Sequence, residues 1–264
     1  MTSDIEAAPE PPEEIEERFN SRRGVDNFDE IVGAWARRAA QFRSAQDHAE
    51  IDVAYGPTAR QRFDLFRPSA GDGAPIALFV HGGYWQAFDK SYVSHLAQGL
   101  LERGIAVAMP SYDLCPDVSL PTIVEQIRRV TALLAARNSG PLIAIGHSAG
   151  AHLVAMAMQG GNIRRAVLLS GLFELEPFLR TQRGARLELP AEQAAAMSPQ
   201  FLPTPPGSAH VMIGADEASE FLRQSSALAE KWSMPCEIVP ATNHFTILDL
   251  LTSGDGMAVK AALA

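Results

Sequence analysis

Pro141-Leu-Ile-Ala-Ile-Gly-His-Ser-Ala-Gly150 is an apolar run that ends in Gly146-x-Ser148-x-Gly150. A serine between two glycines, directly after a buried strand, suits a turn so sharp that the serine is held in a strained backbone conformation with its hydroxyl exposed. Side chains at 146 or 150 would collide with the adjoining strand and helix. The pattern alone recurs by chance. Here a strand over residues 142–145 precedes it and an apolar helix over residues 151–158 follows, which is the context the motif requires. Ser148 is therefore a candidate nucleophile, with a plain tight-turn serine as the alternative.

Outward from this elbow the chain alternates apolar strands and helices. Residues 75–80 form a continuous apolar strand and 90–103 a helix that Gly104 ends. Residues 105–109 are the next strand and 120–137 a long helix opened by Pro121. After the elbow come a strand over 166–170 and an irregular stretch over 171–207 with prolines clustered from 199 to 206. Strands at 210–214 and 236–239 and helices at 217–232 and 247–263 complete the alternation. Nearer the N-terminus, Ile31, Trp35, Ala39 and Phe42 are spaced for an amphipathic helix over 28–42. Residues 51–55 and 62–66 alternate as two strands joined through Gly56-Pro57. Uninterrupted apolar strands between helices mean an α/β chain with a mostly parallel sheet covered on both faces. The expected organisation is a disordered acidic arm over 1–16, rich in Pro and Glu, followed by one domain over 17–264 with a cap-like insertion at 171–207.

A chain of 264 residues is long enough for one large α/β domain. Its net charge of −9 argues against nucleic acid or an anionic membrane as partner, since both demand a basic face. The acidic N-terminus is the reverse of a signal peptide, and no apolar run is long enough to span a membrane, so a cytoplasmic location is expected. Cys115 and Cys236 cannot build a disulfide framework and lack metal-ligand spacing. No metal or organic cofactor is expected. A homodimer is possible but has no signature in the sequence.

A serine hydroxyl needs a base to take its proton and an acid to orient that base. Behind a G-x-S-x-G elbow the order along the chain is Ser, then Asp or Glu, then His. Of the histidines after Ser148, His152 lies within the helix behind it and His210 at the start of a strand, at the bottom of the sheet. His244 alone falls in a loop at the edge that presents the serine. Asp216, immediately past the strand ending at Gly214, is the expected acid, with Glu217 in reserve and a helix cap as the other reading of Asp216. His147, beside Ser148, should point away as elbow packing.

The oxyanion of acyl transfer needs backbone N–H donors already in place. His81-Gly82-Gly83-Tyr84-Trp85 follows the strand at 76–80, and its glycines let the backbone approach a substrate oxygen closely. Gly82, Gly83 and the amide of Ala149 are the expected donors, with His81 buttressing the loop. Tyr84 and Trp85 either line the acyl pocket or pack beneath it. Phe173, Phe178, Leu179 and Phe201 either form an apolar wall for an aromatic leaving group or act as structural filler. The stretch 171–207 and the helix at 28–42 are expected to roof the site together.

The set HGGYW (81–85), GHSAG (146–150), GADE with EFLRQS (214–225) and NHF (243–245) resembles the kynurenine formamidase (arylformamidase) and esterase branch of the α/β-hydrolase fold. Phe19-Asn-Ser-Arg-Arg, Trp35-Ala-Arg-Arg and Ser111-Tyr-Asp-Leu-Cys-Pro116 resemble that branch too, so the likeness runs from about residue 18 to the end. Tyr84 stands where the HGGG pattern of lipase-like esterases has a third glycine. The resemblance implies a serine hydrolase with Ser148, Asp216 and His244 as triad and Gly82, Gly83 and Ala149 as oxyanion hole. The substrate it implies is a small-molecule aryl formamide such as N-formylkynurenine, the alternative being short-chain esters. A peptidase of this fold, or a non-catalytic ligand receptor, is the remaining reading; every catalytic position is occupied, which speaks against the receptor.

Overall fold

The apolar runs of the sequence become the middle of one eight-stranded sheet. A computed structural model of the chain describes residues 11–69, 73–137 and 142–264. The strands are β1 (Ala49–Ala54), β2 (Arg62–Phe66), β3 (Ile76–Val80), β4 (Ala106–Pro110), β5 (Leu142–His147), β6 (Ile163–Leu169), β7 (Ser208–Gly214) and β8 (Cys236–Val239). They lie in the order β1-β2-β4-β3-β5-β6-β7-β8. β1 with β2 and β2 with β4 run antiparallel, and all other neighbours are parallel. The expected mostly parallel sheet is what the chain builds.

Both faces are covered, so alternate residues of each central strand enter different cores. On β3, Ile76, Leu78 and Val80 join one apolar cluster while Ala77 and Phe79 join the other. The helices are α1 (Pro12–Arg18), α2 (Phe28–Ser44), α3 (Gln98–Glu102), α4 (Leu120–Arg137), α5 (Ala149–Met158), the short turns α6 (Glu176–Leu179), α7 (Gln182–Ala185) and α8 (Ala191–Ala194), then α9 (Ser219–Trp232) and α10 (Met257–Leu263). Residues of α4, α5 and α9 pack in the first cluster, and those of α2, α3 and α10 in the second. No helix of the described residues is long and apolar enough to cross a membrane.

Three expectations are corrected. The helix over 90–103 breaks into 3₁₀ turns at Lys90–Tyr92 and Ser94–Ala97 before the five residues of α3. The final helix divides likewise, into a 3₁₀ segment at Thr246–Leu251 and α10, with a turn at 252–256 between them. Of the acidic arm, residues 1–10 lie outside the described residues, but 12–18 form α1 rather than disorder. Pro12 opens α1, acids fill its first turn and Arg18 its last, all of which complement the helix dipole. One turn apart, Ile15 and Phe19 are both buried, and the Phe19 ring meets Phe178 at 5.4 Å. Two apolar residues in an acidic stretch thus suffice to dock it, at roughly 1.5–3 kcal/mol of burial for each side chain.

Candidate active site

Ser148 sits between β5 and α5 at φ 55° and ψ −123°, a conformation that costs a non-glycine residue on the order of 1–3 kcal/mol. The surroundings enforce it. Its N–H donates to the Leu169 carbonyl at 2.8 Å, and its own carbonyl receives the N–H groups of Ala151 and His152. A Cβ on Gly146 would strike the backbone of Gly150 and Ala151, and one on Gly150 the carbonyls of Val80 and His81. The collision expected from the sequence is therefore the reason both positions are glycine.

Neighbouring strand ends deliver the rest of the site at one edge of the sheet. After β8, His244 is 3% exposed and its Nδ1 lies 2.6 Å from Glu217 Oε2. Glu217 follows β7; its Oε1 accepts the Gly214 N–H at 2.9 Å and the Ser170 hydroxyl, from the end of β6, at 2.5 Å. Three donors on a carboxylate that is 4% exposed offset much of its desolvation. With Glu217 accepting, the proton sits on Nδ1 of His244, and Nε2 keeps the lone pair a base requires.

Asp216, the acid expected from the sequence, does not reach this histidine. Residues 214–217 form a turn in which the Asp216 N–H donates to the Thr242 carbonyl and the Glu217 N–H to that of Gly214. The turn leaves Asp216 exposed and carries Glu217 back beneath the sheet edge. Gly214 permits this: a Cβ there would approach Glu217 Oε1 to 3.1 Å and strike the Thr242 carbonyl. The carboxylate that meets His244 is that of the reserve residue, Glu217.

His147 does not point away. Its ring packs on that of His244 at 4.7 Å, and its Nε2 bonds the His244 carbonyl oxygen at 2.8 Å. Burial holds its pKa well below the ordinary histidine value, so the neutral ring donates from Nε2 and pins the backbone of the loop carrying His244. His152 lies in α5 with Nε2 on the Met197 carbonyl, and half-buried His210 faces Glu237 across the sheet at 3.5 Å. Neither ring meets Ser148, His244 or Glu217 among the described contacts.

Gly82 and Gly83 line a cavity of about 290 Å³ together with Ser148 and His244. A Cβ on Gly82 would lie 2.9 Å from both the His147 oxygen and Ser148 Cβ, and Gly83 has φ 117°. Among the described residues the N–H groups of Gly82, Gly83 and Ala149 meet no backbone acceptor, which leaves them available to a substrate oxygen. His81 buttresses the loop: its ring stacks on Tyr112 at 4.4 Å, whose hydroxyl donates to the His81 carbonyl. The Cys115 N–H donates to the Trp85 carbonyl, so the Ser111–Pro116 element supports the same loop.

Of the expected pocket aromatics only Tyr84 lines the cavity. Trp85, Phe173 and Phe178 are fully buried beneath it, Phe178 stacking on Tyr84 at 5.5 Å and meeting Trp85 edge-on. Phe201 is 56% exposed and faces solvent, because the turn at Pro199–Phe201 packs through Pro199 instead. Leu179 packs against the core. The aromatic lining comes from residues that sequence reasoning missed: Phe28 and Trp35 of α2, Phe79, Phe88, Tyr92 and Phe245. α2 and the 171–207 stretch do roof the site together, the latter through Arg183 and Arg186. The helical spacing of Trp35 was visible in the sequence, but which face met the cavity was not.

Residues 77–252 match the model of the alpha/beta hydrolase family. Kynurenine formamidase of Salmo salar is 31% identical over 228 residues, covering 78% of each chain, and that of Danio rerio 29% identical over 235 residues. A Silicibacter sp. TM1040 protein provisionally assigned as a thioesterase superposes with a TM-score of 0.91 at 36% identity, covering 95% of this chain and 99% of that one. An esterase of Pyrobaculum calidifontis shares the fold at a TM-score of 0.71 and 16% identity, over 94% of this chain and 91% of its own. The chain belongs to the alpha/beta hydrolase family, in the branch of the kynurenine formamidases and esterases, and is a hydrolase.

Proposed function

We propose that the chain is a serine-dependent arylformamidase that cleaves N-formylkynurenine, or a similar aryl formamide, to the free arylamine and formate. The observation that carries this reading is the buried His244–Glu217 pair opening into the cavity that holds Ser148 and the Gly82-Gly83 loop. Kynurenine formamidases at about 30% identity over most of the chain support the choice of substrate.

In the first step Ser148 Oγ forms a bond to the formyl carbon while His244 Nε2 takes the hydroxyl proton. The carbonyl oxygen becomes an oxyanion between the N–H groups of Gly82, Gly83 and Ala149. Collapse breaks the C–N bond, and the imidazolium returns the proton to the departing amine nitrogen. Water, deprotonated by the same histidine, then attacks the formyl ester; formate leaves and Ser148 recovers its proton. Glu217 keeps its charge throughout and stabilises the imidazolium each time it forms. The cavity of about 290 Å³ suits one aromatic ring and a very small acyl group rather than a long acyl chain.

The same machinery opens short esters, which is the second reading, supported by the esterase-like fold. Purified protein given N-formylkynurenine and p-nitrophenyl acetate at equal enzyme decides between them. Release of formate and kynurenine at the higher kcat/KM is expected, with Ser148→Ala folded and nearly silent on both. Brisk acetate release with N-formylkynurenine untouched rejects the formamidase reading.

A further inference from the structure

The charge of the cavity runs against that of the chain. The protein carries a net −9, yet among the described residues lining the cavity there are three arginines, Arg22, Arg183 and Arg186, and neither Asp nor Glu. Several arginines elsewhere are matched, Arg18 with Glu220 at 2.8 Å, Arg67 with Glu50 at 2.7 Å, and Arg223 with Glu174 and Glu220. The three cavity arginines have no ion pair among the described residues. Two are held on aromatic faces instead. The Arg22 guanidinium lies 3.5 Å from the centroid of Phe28 and that of Arg183 4.9 Å from Tyr84.

The short helix carrying Arg183 is itself anchored at the site. Gln86, two residues past Tyr84, donates to the Arg183 carbonyl at 2.8 Å, and Thr181 caps the helix by accepting the Gly184 N–H. The guanidinium is thus placed relative to the oxyanion loop rather than left on a free-moving surface turn. Its planar fork is suited to bidentate recognition of a carboxylate.

We infer that the site selects substrates whose leaving group carries a carboxylate, received by Arg183 and Arg186 with Arg22 across the mouth, and that it provides no counterpart for an ammonium. A substrate ammonium meets no carboxylate in the lining, and two of its aromatic faces, Phe28 and Tyr84, already hold guanidinium groups. The preferred substrate is therefore an anionic aryl formamide rather than a zwitterionic or cationic one. This rests on the proposal that Ser148 performs acyl transfer, and it deepens that proposal by naming the charge of the leaving group.

Four formamides sharing one ring test it: N-formylkynurenine, its desamino analogue 4-(2-formamidophenyl)-4-oxobutanoate, the decarboxylated N-formylkynuramine, and neutral 2-formamidoacetophenone. We expect kcat/KM to fall in the order carboxylate, zwitterion, neutral, ammonium, with about tenfold between the carboxylate and the neutral compound at low salt. Screening in 0.5 M NaCl should shrink that ratio. In Arg183→Gln/Arg186→Gln the ratio should drop toward one, with the neutral compound measured on the same variant as denominator, while Lys231→Gln, a surface cation outside the cavity, keeps it. A carboxylate-to-neutral ratio of one or less in wild type, or a ratio the double variant leaves intact, overturns the inference even though formamidase activity stands. If no formamide is cleaved, the formamidase reading fails and the same ratio is read on 4-acetoxybenzoate against 4-acetoxybenzamide. Silence of both series overturns both proposals.

Discussion

Beneath the cavity floor, behind His244, Glu217 is 4% exposed and accepts three hydrogen bonds, whereas at the mouth Arg186 is exposed and has no polar partner among the described residues. The floor is assembled from strand ends, where the sheet's hydrogen-bond ladder sets positions to fractions of an ångström. The mouth comes from an N-terminal turn and a four-residue helix, joined to the rest by ring contacts and single hydrogen bonds. The contrast separates two tasks. Chemistry needs groups that cannot reorganise during reaction, so they are buried and satisfied. Recognition of a charged group needs donors left unpaired until the ligand arrives, so those arginines stay at the solvent boundary.

The sharpest way to break this comparison is at the acid. Glu217→Gln should lower kcat about 10³- to 10⁴-fold, because the amide no longer fixes the His244 tautomer. Asp216→Asn, on the exposed neighbour, should change kcat by less than about threefold. Equal losses would return the acid's role to Asp216. Next comes the donor loop: Gly82→Ala places a methyl 2.9 Å from Ser148 Cβ and the His147 oxygen, and kcat should fall about 10²- to 10³-fold in a protein whose melting remains cooperative.

A third measurement concerns how much of the floor is held neutral by burial. His81 and His152 are both pushed down to about 4 by desolvation, and burial holds His147, beside His244, well below the ordinary histidine value. Their unfolded values lie near 6.5, so acid protonates the unfolded chain first. Their contribution to stability is full above about pH 6.5 and is lost as the pH falls toward 4, on the order of 1–3 kcal/mol for His81 and for His152. Thermal melts across that range should show Tm dropping, and His152→Gln should flatten the slope. Flat Tm values from pH 7 to 4 would contradict the buried, neutral account. The smallest effect is expected at Phe201: Phe201→Ala should leave KM within about twofold and stability within about 0.5 kcal/mol, since the ring meets solvent.

The strands were legible because each central one is a run of apolar residues bounded by turn formers, and both cores consume those residues. The convergence of Ser148, His244 and the Gly82-Gly83 loop on one cavity was legible because chain order and backbone sterics leave few positions for them. The carboxylate that meets His244 lies one residue past the expected Asp216 because a strand's end predicts where the turn begins but not how it is wound; the Thr242 carbonyl decides that by capturing the Asp216 N–H. The aromatic wall was misplaced for a related reason. Phe173 and Phe178 are close to the site along the chain, yet they supply the layer beneath Tyr84, while Phe28 and Trp35 arrive from a helix more than a hundred residues before the nucleophile. Which aromatic lines a cavity depends on packing between distant elements, and periodicity is silent on that.

The Tyr84 hydroxyl donates to the Phe19 carbonyl at 2.7 Å and accepts the Ser21 N–H at 3.2 Å. The segment that follows α1 is thereby fastened to the Gly82-Gly83 loop, and Arg22 at the mouth follows directly. Trimming past Ile15 would withdraw the anchor, and a nick in the exposed Arg22–Gly24 segment would sever its covalent link to the sheet. The loop carrying Gly82 and Gly83 is therefore held in part by the amino end, though neither Ser148, His244 nor Glu217 lies within it.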